Sequence, residues 1–392
     1  MIKAGKCYCY HCGNVFSEAY YQSATQRVGA LLVRPKHSHN VRRYAARAYI
    51  PGGTVSENEQ VTLESVSNWE KDDGLPDTIT VRRKDGKLVE MNRSCPACSG
   101  NATMYPTAGK CDTFVVAIVG ATGAGKTTWL RAISASGNYA RINRLGYSRE
   151  LVFQTVGVHR GTNLATIDKS EGSSNVLRIV EKETGKLIAN VVLVDAAGEL
   201  YEYFSKPDNR MRRIFQPHGD YTGIDACILF DSARYLEETL TAQDYEEASG
   251  KTLAVFNQMV NTLPSSVPVG YVCTHADKLV DKLKKSFCVE DSSGSKLVPV
   301  MTKGTFYETT DYSPQQLWPR LNQEDIIVRS LPLAIPTGDR CRGFVVQSCA
   351  QKLGPEMRDG KPVIHEDYTK TRNLFDPLLW ILYELNLFPP EY

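Results

Sequence analysis

The stretch Phe114-Val-Val-Ala-Ile-Val119, followed at once by Gly120-Ala-Thr-Gly-Ala-Gly125-Lys126-Thr127, decides the fold of this chain. The apolar run has the length and the branched side chains of a strand that is buried on both faces of a sheet. The turn after it matches G-x-x-x-x-G-K-[ST], in which backbone N–H groups and a helix N-terminus surround a phosphate group. We therefore predict a strand, a phosphate-binding loop and a helix, in that order.

Each residue type in this loop has a chemical reason. Lys126 is expected to reach the β and γ phosphates of a nucleotide, and the Thr127 hydroxyl is expected to coordinate Mg²⁺. Glycines allow the backbone to approach the phosphates closely. The predicted nucleotide-binding residues of the loop are Gly120, Gly123, Gly125, Lys126, Thr127 and Thr128.

Similar apolar runs recur along the chain, at Ile188–Val194, Ala226–Phe230, Val267–Cys273 and Phe344–Gln347. Segments that favour helix lie at Thr127–Ala135, Ala233–Asn261 and Pro377–Leu387. Buried strands that alternate with helices are typical of an α/β fold. We predict a mostly parallel sheet flanked by helices and preceded by a small β-rich domain.

The composition excludes several classes of protein. With 392 residues, of which 42% are hydrophobic and 23% charged, the chain matches a globular protein rather than a disordered or fibrous one. Its net charge of +2 provides no general attraction to nucleic acid. No segment approaches the roughly 20 apolar residues of a membrane span, and the odd number of cysteines, 11, favours thiols or metal ligands over disulfides. We expect a soluble, cytoplasmic protein without a membrane partner.

A segment rich in glycine, proline and small polar residues, 99–109, suits a linker between domains. We place the boundary there, which divides the chain into residues 1–110 and 111–392. Within the second domain, the stretch around 279–343 predicts an insertion that serves a partner.

The first domain contains two Cys-x-x-Cys pairs, Cys9 with Cys12 and Cys95 with Cys98. Four thiolates at such spacings suit a tetrahedral Zn²⁺ site and resemble a zinc ribbon. The pairs are far apart in the chain, so the segment between them must fold as an insertion. Cys7 or His11 could replace one ligand, and the sequence leaves this open.

The inserted segment is basic and β-rich. Residues 1–50 contain eight Lys or Arg and one Glu, and residues 78–83 and 87–91 predict two strands around a turn. The basic stretch 27–47 is compatible with nucleic acid, with an acidic protein partner or with a solvated surface. Nucleic acid is the less favoured partner.

Three further strand ends carry polar residues. Asp195 ends an apolar run and is followed by Gly198 and Glu199, a position from which a carboxylate can hold Mg²⁺ through water. Thr274 and Asp277 follow the run that ends at Cys273. Ser348 and Ala350 follow the last run.

Together these motifs resemble the Ras-like (TRAFAC-type) GTPases of the P-loop superfamily, over residues 112–387. The resemblance implies that Thr274 and Asp277 read guanine, because one carboxylate accepts both N–H groups of its Watson–Crick edge. It implies that Ser348 to Ala350 offer a backbone N–H to the guanine carbonyl. It also implies an effector-loop threonine that closes on Mg²⁺ and the γ phosphate, with Thr155 as candidate and Thr162 as rival.

The chain departs from this family at two positions. His275 stands where the family has a lysine lying over the base, and an imidazole could stack there instead. Glu199 stands where many members have the glutamine that orients water, so hydrolysis is expected to be slow. Arg212, after the Asp195 motif, is either an internal cation for the transition state or part of a solvated charge run.

These residues predict a GTP-binding regulatory switch. It would bind GTP and Mg²⁺, hydrolyse GTP to GDP slowly, and control a protein partner or self-associate. The alternatives are a nucleotide-binding scaffold without hydrolysis and a nucleic-acid-associated NTPase that binds nucleic acid through its zinc module.

Overall fold

The computed structural model describes residues 1–16, 19–23, 29–33, 45–49, 61–65, 76–98, 103–120, 123–134, 139–144, 147–159, 173–195, 214–217, 221–232, 263–264, 266–275, 288–290, 297–299, 341–358, 360–367 and 374–387.

The N-terminal part forms a short hairpin and a six-stranded antiparallel sheet. The hairpin pairs β1 (Cys7–Tyr8) with β2 (Val15–Phe16). The sheet has the order β5-β4-β3-β8-β7-β6 and consists of β3 (Ala19–Gln22), β4 (Gly29–Val33), β5 (Ala45–Tyr49), β6 (Val61–Ser65), β7 (Thr78–Arg83) and β8 (Leu88–Arg93). The predicted pair of strands around a turn is therefore present as β7 and β8.

The larger, eight-stranded sheet is mixed. Its first strands along the chain are β9 (Thr113–Gly120), β10 (Tyr139–Arg144), β11 (Tyr147–His159), β12 (Ser173–Glu181), β13 (Leu187–Asp195), β14 (Ala226–Ser232) and β15 (Val269–Thr274). A small hairpin of β16 (Cys288–Glu290) and β17 (Leu297–Pro299) precedes the last sheet strand, β18 (Cys341–Val345). The order is β10-β11-β12-β13-β9-β14-β15-β18.

The prediction of a mostly parallel sheet is confirmed for part of the sheet. The neighbours β13, β9, β14, β15 and β18 are parallel, as their continuous apolar runs indicated. In contrast, β10 to β13 pair antiparallel. In β11 the burial alternates, with Leu151 and Phe153 buried and their neighbours half-buried, so this strand has no continuous apolar run to reveal it.

Two helices belong to the described part of the chain. Helix α1 (Lys126–Ser134) begins at the phosphate loop, and α2 (Asp376–Glu384) follows a hairpin of β19 (Ala350–Arg358) and β20 (Lys361–Asp367). Both agree with predicted helical segments, whereas the predicted helix at 233–261 lies outside the described residues. Neither described helix is long and apolar enough to cross a membrane.

Both helices contribute to one apolar core against the large sheet. The ring of Trp129 in α1 lies 5.1 Å from that of Phe230 in β14, and Trp380 in α2 lies 5.7 Å from Phe344 in β18. The indole Nε1–H of Trp129 donates to the Leu374 carbonyl at 2.9 Å, which satisfies a buried polar group. These contacts hold the start of α1, and with it the phosphate loop, against the sheet.

The segment suggested as a linker is largely buried where it is described, with Thr103 and Pro106 exposed. Tyr105 and Ala108 are each 1% exposed. The Thr107 hydroxyl donates to Asn190 Oδ1 at 2.6 Å, and Asn190 Nδ2 donates back to the Thr107 carbonyl at 3.0 Å. Because Asn190 belongs to β13, these two hydrogen bonds attach the segment to the large sheet at Thr107.

The same segment is held by Arg93 of β8, whose side chain is fully buried. Arg93 Nη1 donates to the Ala108 carbonyl at 2.8 Å, and Nη2 donates to the Tyr105 carbonyl at 3.0 Å and the Pro106 carbonyl at 3.1 Å. Nη2 also contacts the Asp77 carboxylate at 2.9 Å. One guanidinium therefore joins the smaller sheet to the segment that is bound to the larger one.

We expect Arg93→Lys to lower the free energy of unfolding by about 2–4 kcal/mol, because an ammonium cannot reproduce the planar guanidinium that donates to three backbone carbonyls, two of them in buried contacts. Arg82→Lys is the matched control, since Arg82 bonds the exposed Glu64 at 2.7 Å and should leave the unfolding midpoint unchanged. Urea unfolding followed by circular dichroism measures both variants. Equal midpoints for the two would show that Arg93 has no such role.

Candidate functional site

Polar residues meet at one edge of the large sheet, where the parallel strands end. Gly120 ends β9, Asp195 ends β13, Ser232 ends β14 and Thr274 ends β15. Ser348 follows β18 at the same edge. The chain leaves β9 for strands on one side and later returns to strands on the other, and ligands of open α/β sheets bind at such a switch point.

The phosphate loop is packed so closely that two of its glycines have no room for a side chain. Gly120 has a φ of 152°, and a Cβ there would overlap the Phe230 carbonyl oxygen and lie 3.0 Å from the Phe230 Cβ. Gly125 has a φ of 84°, and a Cβ there would lie 3.0 Å from the Thr274 hydroxyl oxygen. The ends of β14 and β15 therefore form the wall against which the loop lies.

Lys126 folds back onto the loop that precedes it. Its Nζ donates to the Gly120 carbonyl at 2.6 Å, and the side chain is buried. Burial lowers the pKa of Lys126, and the nearby Asp195 opposes this shift. The ammonium is thus held at the loop by a carbonyl, a partner that an anion can replace.

Asp195 is the second charged group of this edge. Its Oδ1 is out of contact with solvent and accepts no hydrogen bond from the described residues. Burial raises the pKa of Asp195, and the charge of Lys126 opposes this shift. A buried carboxylate oxygen without a donor is costly, and a cation or an ordered water would satisfy it.

Thr274 binds the loop directly. Its hydroxyl donates to the Ala124 carbonyl at 2.9 Å, and its oxygen lies 2.9 Å from His275 Nδ1. The Ser232 hydroxyl also lies 2.9 Å from that nitrogen. Ser232 is not among the residues that the sequence predicts, although it stands two residues after the apolar run Ala226–Phe230, a signal that could have identified it.

The other predicted residues of this edge vary in how they are placed. Thr127 and Thr128 lie in the first turn of α1, with Thr127 exposed. The Ser348 hydroxyl is buried and has no hydrogen-bond partner among the described residues, and Ala350 begins β19. Gly198, Glu199, Asp277, Thr162 and Arg212 lie outside the described residues.

Thr155 is not brought to the phosphate loop. It lies within β11, three strands from β9, which is about 14 Å across the sheet at about 4.8 Å per strand. Across the sheet, Thr155 in β11 is paired with Leu177 in β12. Leu177 is paired in turn with Val191 in β13, and Val191 with Phe114 in β9. Phe114 precedes Gly120 by about 20 Å of strand at roughly 3.3 Å per residue, so Thr155 is level with the opposite end of β9.

The four predicted cysteine ligands form a separate cluster. The Sγ atoms of Cys9, Cys12, Cys95 and Cys98 all lie within 4.8 Å of one another. Two of the distances, Cys9 to Cys98 and Cys12 to Cys95, are 3.7 Å. A tetrahedral ion with Zn–S bonds of about 2.3 Å separates its sulfurs by about 3.8 Å, so the cluster fits such an ion.

Backbone turns present these thiols. The turn after Cys9 is closed by a hydrogen bond from the Gly13 N–H to the Cys9 carbonyl at 2.8 Å, with Gly13 at a φ of 77°. The second pair follows β8, with the Cys98 N–H donating to the Cys95 carbonyl at 3.3 Å. Hydrogen bonds between the clustered thiols lower the pKa of Cys12 and raise that of Cys9, so the four thiols share their protons unequally.

The sequence left open whether Cys7 or His11 replaces one of the four cysteines as a metal ligand, and the positions of both residues bear on this question. Cys7 is buried outside the cluster of four sulfurs. His11 Nδ1 lies 3.7 Å from Cys98 Sγ, beside the four sulfurs rather than in place of one. The arrangement therefore supports four cysteine ligands.

No protein family and no curated protein matches this chain. One solved structure that matches is the cytosolic domain of the T. maritima FeoB iron transporter in a GDP form, at 17% sequence identity. The match covers 43% of this chain and 48% of that one, with a TM-score of 0.21. This likeness is too weak to carry an argument about fold or activity.

The close packing of the loop predicts a difference between two glycine substitutions. Gly123 and Gly125 share a φ of 84°, but a Cβ at Gly123 would meet nothing within 4 Å. We expect Gly123→Ala to lower the free energy of unfolding by about 1 kcal/mol through backbone strain, and Gly125→Ala by about 1–3 kcal/mol more through contact with Thr274. Urea unfolding measures both, and equal losses would contradict the packing of Thr274 against the loop.

Proposed function

We propose that this chain is a GTP-binding regulatory switch that binds the nucleotide with Mg²⁺ at the carboxyl edge of its large sheet. The observation that carries the proposal is the meeting of three features at this edge: a glycine loop that opens a helix, a buried lysine, and a buried carboxylate oxygen of Asp195 that accepts no hydrogen bond from the described residues. A nucleoside triphosphate with a divalent cation satisfies all three.

The phosphate end of the site follows from these charges. A β or γ phosphate oxygen replaces the Gly120 carbonyl as the partner of Lys126, and a charge-assisted contact is the stronger one. The backbone N–H groups of the loop and the start of α1 hold the remaining phosphate oxygens. Bound Mg²⁺ would neutralise phosphate charge, with the Thr127 hydroxyl and the Asp195 carboxylate as the residues that hold it or its waters.

Guanine recognition is proposed for the neighbouring strand ends. Thr274 is fixed against the loop, and Asp277 follows it by three residues in the sequence. The carboxylate of Asp277 is proposed to accept the two N–H groups of guanine, a paired donor face that adenine lacks. The backbone from Ser348 to Ala350 is proposed to bond the guanine carbonyl.

Hydrolysis is proposed to be slow without a partner. The chain has Glu199 after the Asp195 strand, where a neutral amide would be better suited to orient the attacking water. A cation from a partner, from a second copy or from Arg212 would then raise the rate. The switch acts through a change of shape between the GTP and GDP states rather than through a metabolite.

The cysteine cluster is proposed to bind Zn²⁺ as a structural ion. Four sulfur ligands leave no open position for a substrate, which is typical of structural rather than catalytic zinc. The ion would join two turns that are far apart in the chain and so stabilise the proposed N-terminal domain, residues 1–110.

We expect Lys126→Ala to weaken GTP binding by about 100-fold, because it removes the ammonium that bonds the phosphates. Lys87→Ala, which removes an exposed lysine of the smaller sheet, should bind like the unmodified protein. Titration calorimetry with GTP, with and without Mg²⁺, measures both. Unchanged binding by Lys126→Ala would refute the phosphate site.

The guanine assignment is tested by Asp277→Asn. The amide donates to the extra carbonyl of xanthine and no longer accepts two guanine N–H groups, so preference should change from GTP to XTP by at least about tenfold. Asp85→Asn, in the exposed turn between β7 and β8, is the control. If the unmodified protein prefers ATP, the base assignment is wrong.

Metal analysis of protein purified without chelator should find one Zn²⁺ per chain. Cys95→Ser should lose the metal, whereas Cys7→Ala, which removes a buried thiol outside the cluster, should keep it. Loss of the metal should also lower the unfolding temperature, since its binding energy contributes to folding. Absence of zinc from the unmodified protein would exclude the site.

A further inference from the structure

Three side chains form a hydrogen-bonded chain along the sheet edge. Ser232 at the end of β14 and Thr274 at the end of β15 both lie 2.9 Å from His275 Nδ1. These two residues are register partners in adjacent parallel strands, and they are 4% and 2% exposed. The Thr274 hydroxyl also donates a hydrogen bond of 2.9 Å to the Ala124 carbonyl of the phosphate loop.

The positions of the protons in this hydrogen-bonded network follow from which atoms can donate and which can only accept. A carbonyl oxygen only accepts, so the single proton of the Thr274 hydroxyl goes to Ala124. The contact between Thr274 and His275 is then favourable only if Nδ1 carries a proton. That N–H is shared between the Thr274 and Ser232 oxygens, a three-centre arrangement common at the ends of secondary structure. A neutral imidazole then has a lone pair on Nε2.

The backbone of His275 shows that its position is constrained. Its φ of 58° lies in the left-handed region, which residues with a side chain rarely adopt. Such a conformation persists where surrounding contacts determine it, and it is enriched at ligand sites. The two hydroxyl contacts to Nδ1 are contacts of this kind.

From this arrangement we propose that Ser232 is a positioning residue of the nucleotide site. With Thr274, it fixes His275 as the tautomer protonated on Nδ1 and so makes Nε2 an acceptor for an N–H or O–H group of the bound nucleoside. This inference rests on the proposed function for its ligand, but its structural part holds without one. Ser232 therefore acts on the base and ribose end of the ligand and not on its phosphates.

The tautomer is tested first, on nucleotide-free protein labelled with ¹⁵N. Long-range ¹H–¹⁵N correlation spectra should show His275 protonated on Nδ1, with its signals assigned by their loss in His275→Asn. In Ser232→Ala the fraction protonated on Nε2 should rise. Ser23→Ala, which removes a buried serine next to β3, should leave the His275 signals unchanged. A His275 protonated on Nε2, or no response to Ser232→Ala, would overturn the proposal.

The ligand part is tested by comparing GTP with inorganic tripolyphosphate, both with Mg²⁺. Ser232→Ala should weaken GTP about fivefold, the value of one hydrogen bond, and leave tripolyphosphate unchanged. Equal losses for both ligands, or no loss for GTP, would show that Ser232 does not position His275 for the nucleoside. If neither ligand binds the unmodified protein, the proposed function fails, while the tautomer measurement still decides the structural part.

Discussion

The contact between Thr274 and the phosphate loop is the interaction on which the rest of the site depends. The Thr274 side chain occupies the space beside Gly125 and its hydroxyl satisfies the Ala124 carbonyl. Because Thr274 is the last residue of a buried parallel strand, the loop takes its shape from the sheet and not from its own sequence alone. Gly120 is fixed in the same way by Phe230 of the neighbouring strand. The described part of the loop, Gly120 and residues 123–126, is thus held in place before any ligand arrives.

Organisation of this kind has an energetic cost at the charged residues. Lys126 and Asp195 are both buried. Burial lowers the pKa of Lys126 and raises the pKa of Asp195, so in each case it favours the neutral form. Their mutual attraction offsets only part of this cost, and Asp195 Oδ1 receives no hydrogen bond from the part of the chain that the structure describes. A ligand that brings both phosphate anions and a cation would relieve both groups at once. The same features that destabilise the free site would therefore favour a metal–nucleotide complex over either component alone.

The cysteine cluster and the large sheet are connected through a short path of buried polar contacts. Arg93 stands two residues before Cys95 and bonds three carbonyls of the segment 104–108. That segment is bonded in turn to Asn190 in the strand that ends at Asp195. Buried hydrogen bonds of this type are costly to break singly, so the N-terminal sheet and the large sheet should resist unfolding together.

The sequence by itself determined the local features: the phosphate loop, the buried parallel strands with their polar ends, α1, α2 and the two cysteine pairs. Each of these is a pattern within a few consecutive residues, where hydrophobic period and turn chemistry suffice. Only the tertiary structure decided that β10 to β12 extend the sheet antiparallel, that Thr155 lies level with the far end of β9, and that Ser232 contacts His275. It also decided that the cysteine pairs, more than 80 residues apart, lie at the sulfur spacing of one ion. These features depend on strand register and on contacts between distant segments, and no local pattern records which distant segment a residue will meet.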